Sequence, residues 1–353
     1  MKIKLYGAGA GDSFLIRIGS KSILIDGGIG GTFKEIKNEI LNLGINLDLV
    51  ILTHYDGDHI MGLIKLFRDN ETKDKINRVW ANLEKHLGEK AIYQVPLEDN
   101  EDLTRSGVQA CDFQNLIPKE KLNENPIEVS YRENIFHDEK FEMEIINPTR
   151  EGLTKLNEYF ENELKEKGKN REDLTRGSKN DYYYPIEKLL EKPIKKDSNE
   201  ANNNSIVLLF KTKEGNYLFT GDCSTKVLKE RLIEKGYSKE DKLKLNLFKL
   251  PHHGSQTGFD VGIFDLIECE NYFIQAGPNS HGNPSKEMFI KFLNKMKSLN
   301  IDPKVITNYN SFLEMEDVDR DSFNDLDELK NFSYTITKGN KISFIKGVMS
   351  VDE

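Results

Sequence analysis

The chain has 353 residues, 37% of them hydrophobic and 31% charged, which is the composition of a folded protein and excludes a disordered one. A formal net charge of −9 excludes a protein that coats nucleic acid without specificity, because neutralising phosphates needs an excess of Lys and Arg; a local basic groove stays compatible with it. No apolar run is long enough to span a bilayer and no signal-peptide pattern opens the sequence, so a cytoplasmic protein with no membrane partner is expected.

The first residues alternate in strand fashion. Ile3-Lys4-Leu5, Phe14 to Ile18 and Ser22 to Ile25 read as three neighbouring strands separated by Gly-containing turns. Gly7, Gly9 and Gly11 lie between the first two, without the spacing of a dinucleotide-binding loop. Helical spacing follows from Phe33 to Leu43, and then the apolar run Leu49 to Leu52 ends at Thr53-His54. From Ile60 to Phe67 the apolar residues again keep helical spacing, which puts the polar stretch 54–59 on a loop between strand and helix.

Residues 69–201 show no clear period, and mixed charges crowd 151–200; this region is expected to be an inserted, partly helical cap. Strand patterns return at Ser205 to Phe210, Tyr217 to Thr220 and Leu245 to Leu250, followed by a helix from Ser285 to Leu299. Strands in both halves with helices around them suggest an α/β fold of two sheets packed face to face with helices outside, spanning 1–353 as one domain interrupted by the insert. Cys111, Cys223 and Cys269 are odd in number and far apart, so they form no disulfide framework and are expected to be buried small hydrophobes.

The chemistry concentrates in His54-Tyr55-Asp56-Gly57-Asp58-His59. Two imidazoles and two carboxylates within six residues supply the neutral nitrogen and anionic oxygen that a divalent cation takes. A helix cap from Asp58 would account for one of the carboxylates and leave the other three side chains unexplained. Similar polar clusters follow later apolar runs, around Asp222 and around His252-His253.

The stretch Leu52 to His59 resembles the signature of the metallo-β-lactamase superfamily, H-x-H-x-D-H after a strand, with Asp56 in place of the second histidine. That variant is similar to the catalytic domain of the competence DNA-uptake (ComEC) family and its free-standing relatives. Gly11-Asp12-Ser13, Leu24 to Gly28, Asn203-Asn204-Ser205, Thr220-Gly221-Asp222 and Leu250 to Ser255 match in the family's order.

The resemblance implies an αββα sandwich and two divalent metal ions. It implies that His54, Asp56 and His252 hold the first ion, that Asp58 and His59 hold the second, and that Asp222 bridges them. Asp26 would brace the ligand loop by hydrogen bonds, or act only as an Asp-Gly-Gly turn. The last ligand is open between His281 and Asn283, because the sequence reads Ser280-His281-Gly282-Asn283-Pro284 where relatives carry Gly-His-Pro. Asp58 and His253 are candidate catalytic groups, with His253 orienting substrate or donating a proton.

Three aspartates among the ligands shift the preference from zinc toward manganese without excluding zinc. Ions roughly 3.5–4 Å apart generate hydroxide from a shared water at neutral pH, so hydrolysis is the implied reaction, of a phosphodiester in the manner of a nuclease. Arg171, Arg176 and Lys179 before Tyr182 offer phosphate contacts and a stacking face for single-stranded nucleic acid, or alternatively a Tyr-rich packing segment. The other readings are hydrolysis of a small phosphoester or lactone, and a metal-binding module used for partner recognition. An acidic stretch from Asp317 to Glu328 mimics a Ca²⁺ loop but has Ser322 where the turn wants glycine.

Overall fold

The structure is a computed structural model of the chain that describes residues 1–9, 11–82, 106–122, 135–165, 181, 184–277, 282–309, 329, 331–345 and 348–352. The chain opens with strands β1 (Lys2–Leu5), β2 (Phe14–Ile18) and β3 (Lys21–Ile25), helix α1 (Phe33–Leu43), strand β4 (Leu49–Ile51), helix α2 (Gly57–Arg68) and strand β5 (Val79–Trp80). Helix α3 (Ser106–Leu116), strands β6 (Ile135–His137) and β7 (Phe141–Asn147) and helices α4 (Arg150–Lys165), α5 (Ile186–Glu191) and α6 (Glu200–Asn203) follow. The second half adds β8 (Val207–Thr212), β9 (Gly215–Phe219), α7 (Thr225–Glu234), β10 (Leu243–Lys244), β11 (Leu247–Lys249), β12 (Ile267–Glu268), β13 (Asn271–Ile274) and α8 (Lys286–Ser298). Strands β14 (Lys304–Thr307), β15 (Thr335–Lys338), β16 (Lys341–Ile345) and β17 (Val348–Asp352) complete it.

Two sheets carry the fold. Among the described residues, one runs β17-β16-β1-β2-β3-β4-β5 and the other β15-β14-β13-β11-β9-β8-β7-β6. Strand side chains alternate between two faces, and here both faces are apolar. Phe14, Ile16, Ile23 and Ile25 of the first sheet meet Leu208, Phe210, Phe219 and Phe273 of the second in the central core. On the outer face of the first sheet, Leu15, Leu24 and Val50 pack with Ile36 and Ile40 of α1 and Ile60, Leu63 and Ile64 of α2. On the other outer face, Leu209, Leu218 and Phe248 pack with Leu228 of α7 and Phe292 of α8. Three cores between four layers make the αββα sandwich.

Three details of this fold differ from the sequence reading. Helix α2 begins at Gly57, so Asp58 and His59 sit in its first turn instead of on the loop; its N-cap is Asp56, with no side-chain capping bond. Strand β5 pairs in parallel with β4, and β7 pairs antiparallel with β8. Parts of the interval 69–201 are therefore strands of the two sheets, and the region is not a separate cap over its whole length. From 181 onward it is also tied to α8. Asp181, 6% exposed, accepts from Ser285 Oγ at 2.7 Å and from the backbone N–H groups of Lys286 and Glu287 at 2.9 and 2.8 Å.

The sandwich gathers the carboxyl ends of its parallel strands along one edge. Strands β3 and β4 are parallel, as are β9, β11 and β13. Asp26, His54, Asp222 and His252 each follow the end of one of these strands, where open α/β sheets collect their functional groups. The loops pack without slack. A Cβ on Gly11 would lie 1.5 Å from the carbonyl oxygen of Asp58, so only glycine lets the β1–β2 turn lie against the start of α2.

Candidate metal centre

Four histidines converge on Asp222, and each turns its Nδ1 away from that carboxylate. His59 donates from Nδ1 to Asp26 Oδ2 at 2.8 Å, and His253 donates from Nδ1 to the carbonyl of Gln275 at 3.1 Å. Thr53 Oγ1 gives its proton to Asp26 Oδ2 at 2.7 Å, so the 3.2 Å contact between Thr53 Oγ1 and His54 Nδ1 must be donated by the imidazole. His252 Nδ1 faces Asp197 Oδ2 at 3.5 Å. With the outer nitrogens of His54, His59 and His253 held by these partners and that of His252 turned toward Asp197, each Nε2 faces inward, the orientation that a metal ion requires.

The inward atoms form two sets that share Asp222. In one, His54 Nε2 is 3.7 Å from Asp56 Oδ2 and 3.9 Å from Asp222 Oδ2, and His252 Nε2 is 3.9 Å from Asp222 Oδ2. In the other, His59 Nε2 lies 3.5 Å from Asp222 Oδ1, 4.0 Å from Asp58 Oδ1 and 3.3 Å from His253 Nε2. His253 Nε2 is also 3.2 Å from Asp222 Oδ2 and 3.6 Å from Asp58 Oδ2. Among the described residues, His54 Nε2 and Asp222 Oδ1 are buried with no hydrogen-bond partner. Buried polar atoms are rarely left so, and these donor atoms fit divalent ions in the gaps between them.

Electrostatics agrees with this reading. Burial alone would lower the affinity of His59, His252 and His253 for protons. Asp222 acting together with Asp26 on His59, with Asp197 on His252 and with Asp12 on His253 outweighs it, and His253 is raised to about 10. Burial would likewise raise Asp222, but His253, His59 and His252 hold it well below the usual carboxylate range. The site is built for positive charge.

Backbone shape is part of the construction. Asp26, His252 and His253 all have positive φ, at 56°, 50° and 53°, a region that non-glycine residues seldom occupy. Strained backbone of this kind persists where the surroundings over-determine it, commonly at functional sites. Asp26 is such a case, accepting from Thr53 N at 2.7 Å as well as from Thr53 Oγ1 and His59.

The structure thus brings together His54, Asp56, Asp58, His59, Asp222 and His252, with Asp26 behind them. His253, read from the sequence as a proton donor or substrate-orienting group, points its Nε2 into the second set. His281 and the segment with Arg171, Arg176, Lys179 and Tyr182 lie outside the described residues, as does 317–328. Asn283 is half-buried before α8.

Sequence reading gave no role to Asp12, which it matched only within Gly11-Asp12-Ser13, and passed over Lys249, Asp197 and Asn199. Asn199 Nδ2 donates to Asp56 Oδ2 at 3.2 Å, and Lys249 Nζ lies 2.5 Å from Asp12 Oδ2 with both side chains fully buried. A signal for Lys249 was present, a single charge in the apolar run Leu247 to Leu250, since a lysine is hardly ever buried unpaired.

Residues 6–132 match the model of the metallo-beta-lactamase superfamily. A curated metallo-hydrolase of Methanocaldococcus jannaschii is 43% identical over 60 residues, 17% of this chain and 29% of that protein. The match therefore spans less than a third of the relative's length. Among solved structures, the metallo-beta-lactamase fold protein YhfI of Bacillus subtilis aligns with 96% of each chain at 11% identity and a TM-score of 0.41. The short form of human tRNase Z aligns over 97% of this chain and 99% of its own, at 11% identity and a TM-score of 0.38. Over residues 6–132, which carry His54, Asp56, Asp58 and His59, the chain is thus similar to the metallo-β-lactamase superfamily.

Proposed function

We propose that the chain is a hydrolase dependent on two divalent ions, Mn²⁺ or Zn²⁺, that cleaves phosphodiesters, with single-stranded nucleic acid as its substrate class. The observation that carries the reading is the set of four imidazoles turned with Nε2 facing a shared Asp222. His54, Asp56, His252 and Asp222 would hold one ion; Asp58, His59, His253 and Asp222 would hold the other, with His281 the alternative to His253. When bound, such a pair supplies Lewis acidity toward the scissile ester and lowers the pKa of water toward neutrality.

The chain's own residues do the rest. Asp56, Asp58 and His252 are the donors most open to solvent, with 26%, 30% and 23% of their side chains exposed, so substrate reaches the site from their side. Asp58 presents a carboxylate oxygen at that mouth, placed to accept a proton as attack begins. His59 and His253 are closed off from water, at 0% and 3% exposed, and serve to hold and orient. The oxygen-rich character of the donors and the likeness of the ligand sequence to the competence DNA-uptake family support a phosphodiester substrate.

The test is metal content together with hydrolysis of bis-p-nitrophenyl phosphate and of a single-stranded oligonucleotide, under Mn²⁺ and under Zn²⁺. We expect about two ions per chain and turnover of both substrates. Asp222→Ala should lower turnover of each by more than about 100-fold, beyond the cost of disturbing a group outside the coordination sphere. Turnover of the small diester alone would favour a small phosphoester as substrate, and lactone cleavage alone would replace the phosphodiester reading. Bound metal with no hydrolysis would favour a recognition module.

A further inference from the structure

A lysine and an aspartate with no solvent exposure stand directly behind the second donor set. Lys249 Nζ is 2.5 Å from Asp12 Oδ2, and it also donates to the carbonyls of Gly221 at 3.0 Å and Leu250 at 3.4 Å. Asp12 Oδ1 is 3.3 Å from His253 Nδ1. Gln275 completes the bracket: its carbonyl accepts from His253, its side-chain amide donates to Tyr6 O and Ser13 O at 2.8 and 3.1 Å, and its Oε1 accepts from Ser13 N at 3.1 Å. The β1–β2 turn of one sheet is thereby fastened to the ends of β11 and β13 in the other.

A buried ion pair is a poor device for stability, because taking both charges out of water offsets most of their attraction. Its position suggests another use. Ligand atoms of Asp12, His59, Asp222 and His253 all lie within 4.8 Å of one another, so Asp12 is itself close enough to compete for a metal ion. An ammonium group against Asp12 Oδ2 prevents this. It leaves the carboxylate as a negative partner for His253 Nδ1 and directs coordination to His253 Nε2.

We propose that Lys249 and Asp12 are a positioning pair: Lys249 keeps Asp12 out of the coordination sphere and so sets His253 as the ligand. The proposal rests on the two-ion reading above. It differs from the general role of Asp26, which braces His59, because here the charge on one buried residue decides which neighbour binds metal.

Titration calorimetry of the metal-stripped full chain with Mn²⁺ alone tests it, alongside thermal melting without metal. Two variants are used: Asp12→Asn, nearly isosteric, and the double variant Lys249→Met with Asp12→Asn, which removes both charges together. Each should bind one of the two ions about 10–100-fold more weakly, the range for loss of a group that orients a ligand. The other ion should change by less than about threefold, well short of that range, and the metal-free melting temperature should hold within a few degrees. Wild-type affinity for both ions in the two variants would overturn the proposal. So would an equal weakening of both ions that tracks a fall in melting temperature, which marks a purely structural pair. Failure of the wild-type protein to take up Mn²⁺ would overturn the two-ion reading, and this proposal with it.

Discussion

His253 carries the largest consequence of any single side chain. Its folded value of about 10, with His59 and His252 also raised, means that at neutral pH the metal-free site holds protons where ions are to bind. Ion uptake must displace them. Affinity for Mn²⁺ should therefore climb between pH 6 and pH 9 with proton release seen in calorimetry across buffers; a pH-independent affinity would show that these nitrogens are not the ligands. For the metal-free chain the sign is reversed. A histidine raised above its unfolded value adds stability that is complete below about 6.5 and is lost as pH rises toward the folded value. Much of the donor cluster was legible because His54 to His59 crowd into one short polar stretch and Asp222 and His252 each follow an apolar run. Asp12, Lys249 and Asp197 were not legible as a group, since each is an isolated residue whose partner is distant in sequence. The bracket around His253 depends on the fold: no spacing in the chain announces that residues 12, 249 and 275 will meet.

Elements with one dominant period were the readable ones. Helix α1 has the bounds that its apolar spacing indicates, and β2 runs from Phe14 to Ile18 as its alternation does. Strand β7 carries the alternation Phe141-Glu142-Met143-Glu144-Ile145 and was passed over all the same; its glutamates face lysines of neighbouring elements, Lys211 of β8 and Lys235 just past α7. Helix α2 starts earlier than its apolar residues because Gly57, Asp58 and His59 form its first turn. Helix α8 shows how distant chain supports an element. Its first turn has Asp181 as an acceptor, a buried carboxylate at the positive end of the helix macrodipole. Asp181→Ala should lower stability by about 1–2 kcal/mol, in the range for loss of a cap. Denaturant unfolding checks this; an unchanged midpoint would mean that Ser285, which itself caps the helix by accepting from Met288 N, suffices alone.

At the scale of the whole molecule, acid stability should depend in part on the edge where β7 and β8 meet the end of α7. Burial would raise Glu144, but bonds from Lys211 and Lys235 hold it below the ordinary glutamate value. A depressed carboxylate contributes stability that is present above its unfolded value, about 4.3, and disappears as pH falls through the folded one. Glu144→Gln should make the chain less stable at pH 7 and flatten its decline on the acid side. Parallel stability curves for variant and wild type would show that the cluster adds nothing. The sandwich places its donors in both halves of the chain, four of them between residues 54 and 59 and three between 222 and 253. Synthesis runs in one direction, so a growing chain exposes the first group long before Asp222, the shared one, exists. Neither donor set can close until both sheets have been made and have docked. The ions on this reading are the last components to arrive, taken up by a finished framework, and a chain that stalls halfway presents only an open acidic stretch with little hold on them.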